Sequence, residues 1–136
     1  VSSPVAFGEP GTNSQHAFMQ MIHQGPFPIP CEFIIPLETR AQHVEMHEQL
    51  LANAFAQMDA LALGKTREEV LADLRRSRSD EAYADHRVFP GGRESAAILV
   101  PRIDARSLGA LLALYEHRIF VEGHLWDVNS FDQWGV

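Results

Sequence analysis

The sequence predicts an α/β fold in which helices cover a mostly parallel sheet. Three observations predict it. Two short apolar runs, Cys31-Glu32-Phe33-Ile34-Ile35 and Ala97-Ile98-Leu99-Val100, have the length and composition of buried strands. Stretches with apolar residues at helical spacing lie before, between and after them. Residues that start and stop helices stand where those stretches begin and end. Strands alternating with helices along one chain give a parallel sheet with helices on its faces.

The elements follow in order. Gly8-Glu9-Pro10-Gly11 is a loop, since glycine and proline break regular structure. Thr12 or Asn13 can cap the helix that follows, in which Ala17, Phe18, Met21 and Ile22 recur at helical spacing and Gly25 is the stop. Pro30 opens the first strand and Pro36 closes it, within Ile29 to Leu37. A long helix is expected from about His43 to Leu63, with Leu50, Leu51, Ala54, Phe55, Met58, Leu61 and Ala62 as its apolar stripe. Gly64 ends it, and Thr66 with Glu69 forms a capping-box pattern for a helix running to about Ser77. Ser79 to Gly92 reads as polar chain and turns. After the second strand, Asp104 or Ser107 caps a helix whose face carries Leu108, Leu111, Leu112, Tyr115 and Ile119, kept slim at Gly109 and Ala110 for close packing. Phe120-Val121 lead to Gly123, and Leu125 to Val128 reads as a short strand or loop. A stable parallel sheet has more strands than these, so part of it is expected to be missing, and both ends of the chain read as cut.

Composition narrows the function. The 136 residues suit one domain or a large piece of one, and 46% apolar with 21% charged residues is ordinary for a folded protein. The net charge is −7, and the densest basic run, Arg75, Arg76 and Arg78, has Asp73, Asp80 and Glu81 beside it. Phosphate neutralisation along a nucleic acid is thereby disfavoured. No apolar run has the length of a membrane span. The single cysteine, Cys31, cannot form an internal disulfide and reads as a small buried hydrophobe, which fits the cytosol.

The motifs carry chemistry only in part. The glycine loop before a helix holding Gln15 and His16 would present free N–H groups and the positive end of the helix dipole, a place suited to an anion or a sugar oxygen. A neutral imidazole there can exchange a proton with a hydroxyl. The plain alternative is a capped helix with an exposed histidine. His43 and His47 at i and i+4 lack a third ligand and read as a solvated helix start. His16 and His23 stand two helical turns apart, too far to share a metal. Glu116 and His117 are neighbours that do not face each other, and His117-Arg118 reads as a basic tip at the negative end of a helix. No nucleophile elbow, P-loop or dinucleotide fingerprint is present.

Longer strings say more. Gly8-Glu9-Pro10-Gly11-Thr12-Asn13-Ser14-Gln15-His16-Ala17-Phe18, then Ile22-His23-Gln24-Gly25 and Ile29-Pro30-Cys31-Glu32-Phe33, resemble the central signature of the glucose-6-phosphate isomerase family. Leu108-Gly109-Ala110-Leu111, Tyr115-Glu116-His117-Arg118-Ile119-Phe120 and Phe131-Asp132-Gln133-Trp134-Gly135-Val136 resemble its later signatures, in family order. Gly91-Gly92-Arg93-Glu94-Ser95 departs from the family's Gly-Asn-Arg-Pro-Thr pattern, as do Ser14 and Met19 from its usual glycine and aromatic.

The resemblance implies a carboxy-terminal fragment, with residues 1–136 forming part of the second sugar-isomerase domain, a three-layer α-β-α sandwich. It implies reversible aldose–ketose isomerisation of glucose 6-phosphate and fructose 6-phosphate in glycolysis and gluconeogenesis, by a cytoplasmic homodimer, with no metal or cofactor. It implies that His16 opens the sugar ring, reaching into the neighbouring subunit's site, and that Gln133 binds substrate hydroxyls. The family's glutamate base, its lysine and its phosphate-gripping loop match nothing in this chain, so the fragment alone is expected to be inactive. Glu9 reads as a loop-structuring carboxylate and not as the base. The alternative is a non-catalytic sugar-phosphate-binding or interaction module of the same fold.

Overall fold

The computed structural model describes residues 13, 16, 18–40 and 42–132. The loop containing Glu9 lies outside the described residues, as does Gln133.

The first described helix, α1, spans Met19–Gln24. The sequence predicts one helix following a Thr12 or Asn13 cap. Asn13 and His16 are helical, but Phe18 has φ −141° and ψ −7°, so α1 starts anew at Met19. Gly25 ends it without a left-handed turn, at φ −63°. Space is what requires glycine there, because an added Cβ would stand 2.3 Å from the Met21 carbonyl oxygen.

The expected strands are β1, Cys31–Pro36, and β2, Ser95–Val100. They pair in parallel, from Cys31 opposite Ser95 to Pro36 opposite Val100. Parallel neighbours need a long crossover. Here it carries α2, Val44–Leu63, α3, Arg67–Arg76, and a 3₁₀ helix, Glu81–Arg87. The capping box forms as expected: the Glu69 N–H donates to Thr66 Oγ1, and Thr66 N–H donates to Glu69 Oε2 at 2.8 Å. The 3₁₀ helix was not legible as such. The Asp80 side chain caps it by accepting from the Ala82 N–H, and its Ala84 is buried with Val70 and Leu74 of α3.

After β2, Asp104 caps α4, Ala105–Leu125, by accepting from the Ser107 N–H. This helix runs past the expected stop: Gly123 lies inside it and Leu125 ends it. No strand forms at 125–128. Gly109, expected to permit close packing, has open space where a Cβ would be.

Strand alternation sorts the layers. Cys31 and Phe33 pack against a core of Met19, Ile22 and Leu61, which places α1 and α2 on one face of β1. Glu32 points to the opposite face and meets Tyr115 and Arg118 of α4. Among the described residues the result is an α/β/α arrangement around a two-stranded parallel sheet. Of the expected stripe on α2, Leu61 is completely buried, whereas Leu50 and Phe55 are exposed. On α4, Leu111 is buried while Leu108, Leu112 and Ile119 are exposed.

The end of α2 is fixed by a close approach of two backbones. Gly64 has φ 73° and Gly91 φ 70°, and a Cβ on Gly64 would lie 2.5 Å from the Gly91 nitrogen. Around this contact Lys65 and Phe89 exchange backbone bonds, and the N–H groups of Gly92 and Arg93 donate to the carbonyls of Ala62 and Leu61. Gly64→Ala combines a left-handed alanine with a backbone collision, so it is expected to cost at least about 2 kcal/mol in chemical denaturation. An unchanged midpoint would contradict the packing described.

Asp104 yields a pH expectation. The Arg102 guanidinium, at 2.8 Å, and then the Ser107 N–H hold its carboxyl down at about 2. A depressed acid stabilises the fold above its unfolded pKa, about 3.9. That contribution is lost as pH falls from there through about 2. Acid titration of Asp104→Asn should therefore show a shallower loss of α4 helicity between those values than the unaltered chain, while an identical profile would exclude the linkage.

Candidate functional site

Of the two residues expected to act on substrate, His16 is described and Gln133 lies outside the described residues. His16 is helical and exposed, just before the break at Phe18. Its imidazole is therefore open to a ligand or a partner surface.

The helix after that break is anchored from several sides, which fixes where the His16 segment enters the fold. Gln24 donates through Nε2 to the carbonyls of His86 and Val88 at 3.0 and 2.9 Å. Arg93, only 9% exposed, donates through Nη2 to the Gly25 carbonyl at 2.6 Å. His23 places Nε2 3.0 Å from Gln57 Oε1 of α2, and its ring centroid lies 5.1 Å from that of Phe89. Sequence reading assigned no role to Arg93. A buried arginine within Gly91-Gly92-Arg93 has no local signal, since its partner is a carbonyl of a distant segment.

Beside α1 lies a cleft of about 410 Å³, lined among others by His23, Gln24, Lys65, Asp73, Arg87 and Phe89. Lys65 is ion-paired with Asp73, which also meets Arg76 at 3.2 Å. The Lys65 bond and charge hold the Asp73 carboxyl below its usual range. The cleft's lysine is thus already paired with a carboxylate.

The opposite side of the sheet carries a tighter polar cluster. Tyr115 donates its hydroxyl to Glu32 Oε2 at 2.5 Å, and Arg118 donates through Nη1 to Glu32 Oε1 at 3.0 Å. Arg118 Nε donates to Glu122 one turn further on, at 2.8 Å. Partial burial, then the bond to Glu32, pushes the Tyr115 phenol up. His117-Arg118 is therefore not a helix tip. The helix continues to Leu125, the basic residue of its last turn is His124, and Arg118 works in mid-helix as a cross-link.

The chain then folds back on the last turns of α4. Asp127, at φ 54°, makes the reversal. The Val128 N–H donates to the Gly123 carbonyl at 2.8 Å, and Ser130 Oγ donates to the Phe120 carbonyl at 3.1 Å. Phe131 packs its ring 5.8 Å from that of Phe120. Gly123 makes this possible, since a Cβ there would sit 2.0 Å from Ser130 Oγ and 3.1 Å from the Val128 carbonyl oxygen.

Cys31 is half-buried, its thiol pushed up by burial, and it packs against the α1–α2 core as a small hydrophobe. His43 is the N-cap residue of α2, and His47 is partly buried. Among the described residues no three His, Cys, Asp or Glu side chains gather as a metal site, and no described helix is long and apolar enough to cross a membrane.

Comparison with known proteins gives a consistent answer. A family model described as phosphoglucose isomerase matches residues 1–136. A glucose-6-phosphate isomerase of Deinococcus deserti is 55% identical over 143 residues, covering 99% of this chain and 25% of the relative. One of Chlorobium phaeobacteroides is 51% identical over 139 residues, with 99% and 25% covered. The crystal structure of a glucose-6-phosphate isomerase from Chlamydia trachomatis superposes with a TM-score of 0.75 at 33% identity, covering 98% of this chain and 24% of that one. The chain thus spans about a quarter of the length of the curated relatives it matches.

The fold-back after α4 is directly testable. Gly123→Ala should displace Ser130 and loosen the turn, raising amide exchange at Val128 about tenfold, the equivalent of one hydrogen bond. Adding Ser130→Gly should restore much of the protection. Unaltered exchange in Gly123→Ala would mean that the turn does not depend on this contact.

Proposed function

We propose, from the premise that this chain belongs to the phosphoglucose isomerase family, that it is the carboxy-terminal part of a glucose-6-phosphate isomerase. The family match across residues 1–136 is the observation that carries this reading. The exposed His16 at the motif position fits it. The activity is reversible aldose–ketose isomerisation between glucose 6-phosphate and fructose 6-phosphate.

The chemistry needs two proton movements. The sugar ring opens when a proton passes between a hydroxyl and the ring oxygen, and His16 is the group we assign to that step. A carboxylate base then moves a proton between C1 and C2 through a cis-enediol. Within the family pattern that base lies in a motif absent from these residues, so it belongs to another part of the parent. Gln133 can both donate to and accept from sugar hydroxyls, which suits it to holding the open chain. We assign residues 1–136 to the second sugar-isomerase domain. The parent acts as a cytoplasmic homodimer, with His16 completing the partner's site. A free Cys31 with no described disulfide is compatible with a reducing compartment.

The fragment's own physics supports a division of labour with the rest of the parent. Its sheet has two strands among the described residues, and large apolar side chains such as Phe27, Phe55 and Ile119 remain exposed. Such a surface is the kind that another part of a protein covers.

In a coupled assay, the full-length parent should convert fructose 6-phosphate to glucose 6-phosphate. His16→Ala should lower kcat/KM by at least about a hundredfold, the usual contribution of a positioned acid–base group. The isolated 136-residue chain should be silent. A folded but inactive parent would remove the isomerase reading and favour a sugar-phosphate-binding module of the same fold.

A further inference from the structure

Arg93 has no part in the chemistry above, and its surroundings are not those of a residue kept for stability. It is nine-tenths buried. Its Nη2 donates to the Gly25 carbonyl, while its Nε is buried with no hydrogen-bond partner. That atom is already covered, so a further part of the parent cannot pair it in this arrangement. Taking a guanidinium out of water is costly, and an unpaired buried N–H adds to the cost. An apolar side chain of similar volume would fill the same space without it.

What the arginine supplies is a bracket between two helices. Its backbone N–H donates at 2.9 Å to the carbonyl of Leu61, a completely buried residue near the end of α2. Its neighbour Glu94 accepts through its carbonyl from the Cys31 N–H, at the head of β1. From that fixed point the side chain reaches Gly25, the C-cap of α1. At the other end of α1, Phe18 packs on the core of Met19, Ile22 and Leu61, and its carbonyl accepts from the Ile22 N–H. His16 stands two residues before Phe18. Burial holds α1 against α2 without a preferred direction. The bond at Gly25 is directional, and with His23 on Gln57 it fixes how α1 is rolled and how far it slides.

We propose that Arg93 is a positioning residue for His16: by tying the end of α1 to the end of α2, it sets where the His16 imidazole stands when the sugar ring opens. His16 is held by its own chain whichever subunit's site it serves, so this agrees with His16 completing the partner's site. The proposal rests on the isomerase reading for the role of His16 and on the fold alone for the bracket.

The full-length parent carries the test, with two substrates. Fructose 6-phosphate closes its ring through O5. 5-Deoxyfructose 6-phosphate has no O5, and its O6 carries the phosphate, so it stays open and needs no ring opening. Arg93→Met fills the space and removes the donor. It should lower kcat/KM at least about tenfold on fructose 6-phosphate and less than about twofold on the open ketose, with turnover followed by NMR. His16→Ala should show the same split, and Arg93→Lys should recover part of the loss. The melting temperature of Arg93→Met should match or exceed the parent's. Equal losses on both substrates, or no loss on fructose 6-phosphate, would overturn the proposal. If Arg93→Met does not fold, Arg93→Lys carries the same comparison, and the absence of a split there would overturn it. If the parent folds and isomerises neither ketose, the isomerase reading fails on its own. Amide exchange at Ile22 and Gly25 then decides: it should quicken several-fold in Arg93→Met, and unaltered exchange would overturn the bracket.

Discussion

The parallel pairing of β1 with β2 is the constraint from which the rest of this structure follows. Parallel neighbours cannot be joined by a hairpin, so the chain must travel from one end of the sheet to the other before it can pair. The crossover does so through α2 and the Lys65–Phe89 bridge, and the Gly64–Gly91 contact turns it back toward β2. A parallel sheet also needs cover on both faces. One face of β1 receives α1 and α2 through Cys31 and Phe33, and the other receives α4 through Glu32. Register matters here, because slipping by one residue would turn Glu32 into the apolar core and Phe33 toward the arginine.

The parts of the fold that announce themselves in the sequence are those with local causes. Pro30 and Pro36 bracket β1, Thr66 and Glu69 close a capping box, Asp104 caps α4, and Gly64 supplies a left-handed stop. Where the sequence misleads, a distant partner overrides a local signal. Gly123 reads as a stop, yet it sits inside α4 because its missing Cβ leaves room for Ser130. The 3₁₀ helix at Glu81–Arg87 looks like polar turn until Ala84 is seen against Val70 and Leu74. Arg118 looks like a helix-end cation because Glu32, its partner, lies on a strand remote in sequence.

The candidate site divides in the same way. His16 stands out through its motif and not through any feature of its spacing, and periodicity alone gives only a helix with an exposed histidine. The residues that hold the surrounding segments in place could not be found by motif. Arg93 on the Gly25 carbonyl and Gln24 on the carbonyls of His86 and Val88 are single side chains satisfying backbone groups far along the chain. Such contacts follow from the fold and do not precede it.

One consequence concerns how the two faces of the sheet are held. On the α1–α2 face the attraction is burial: Met19, Ile22 and Leu61 close a small, close-packed core that excludes water. On the α4 face the attraction is directional, a carboxylate shared by a phenol and a guanidinium, both only partly buried. Surface ion pairs contribute little to stability, because solvent screens them and long side chains lose freedom in making them. Their geometry is nonetheless specific where one carboxylate receives two donors. The Glu32 cluster is accordingly better suited to setting the orientation of α4 than to holding the protein together.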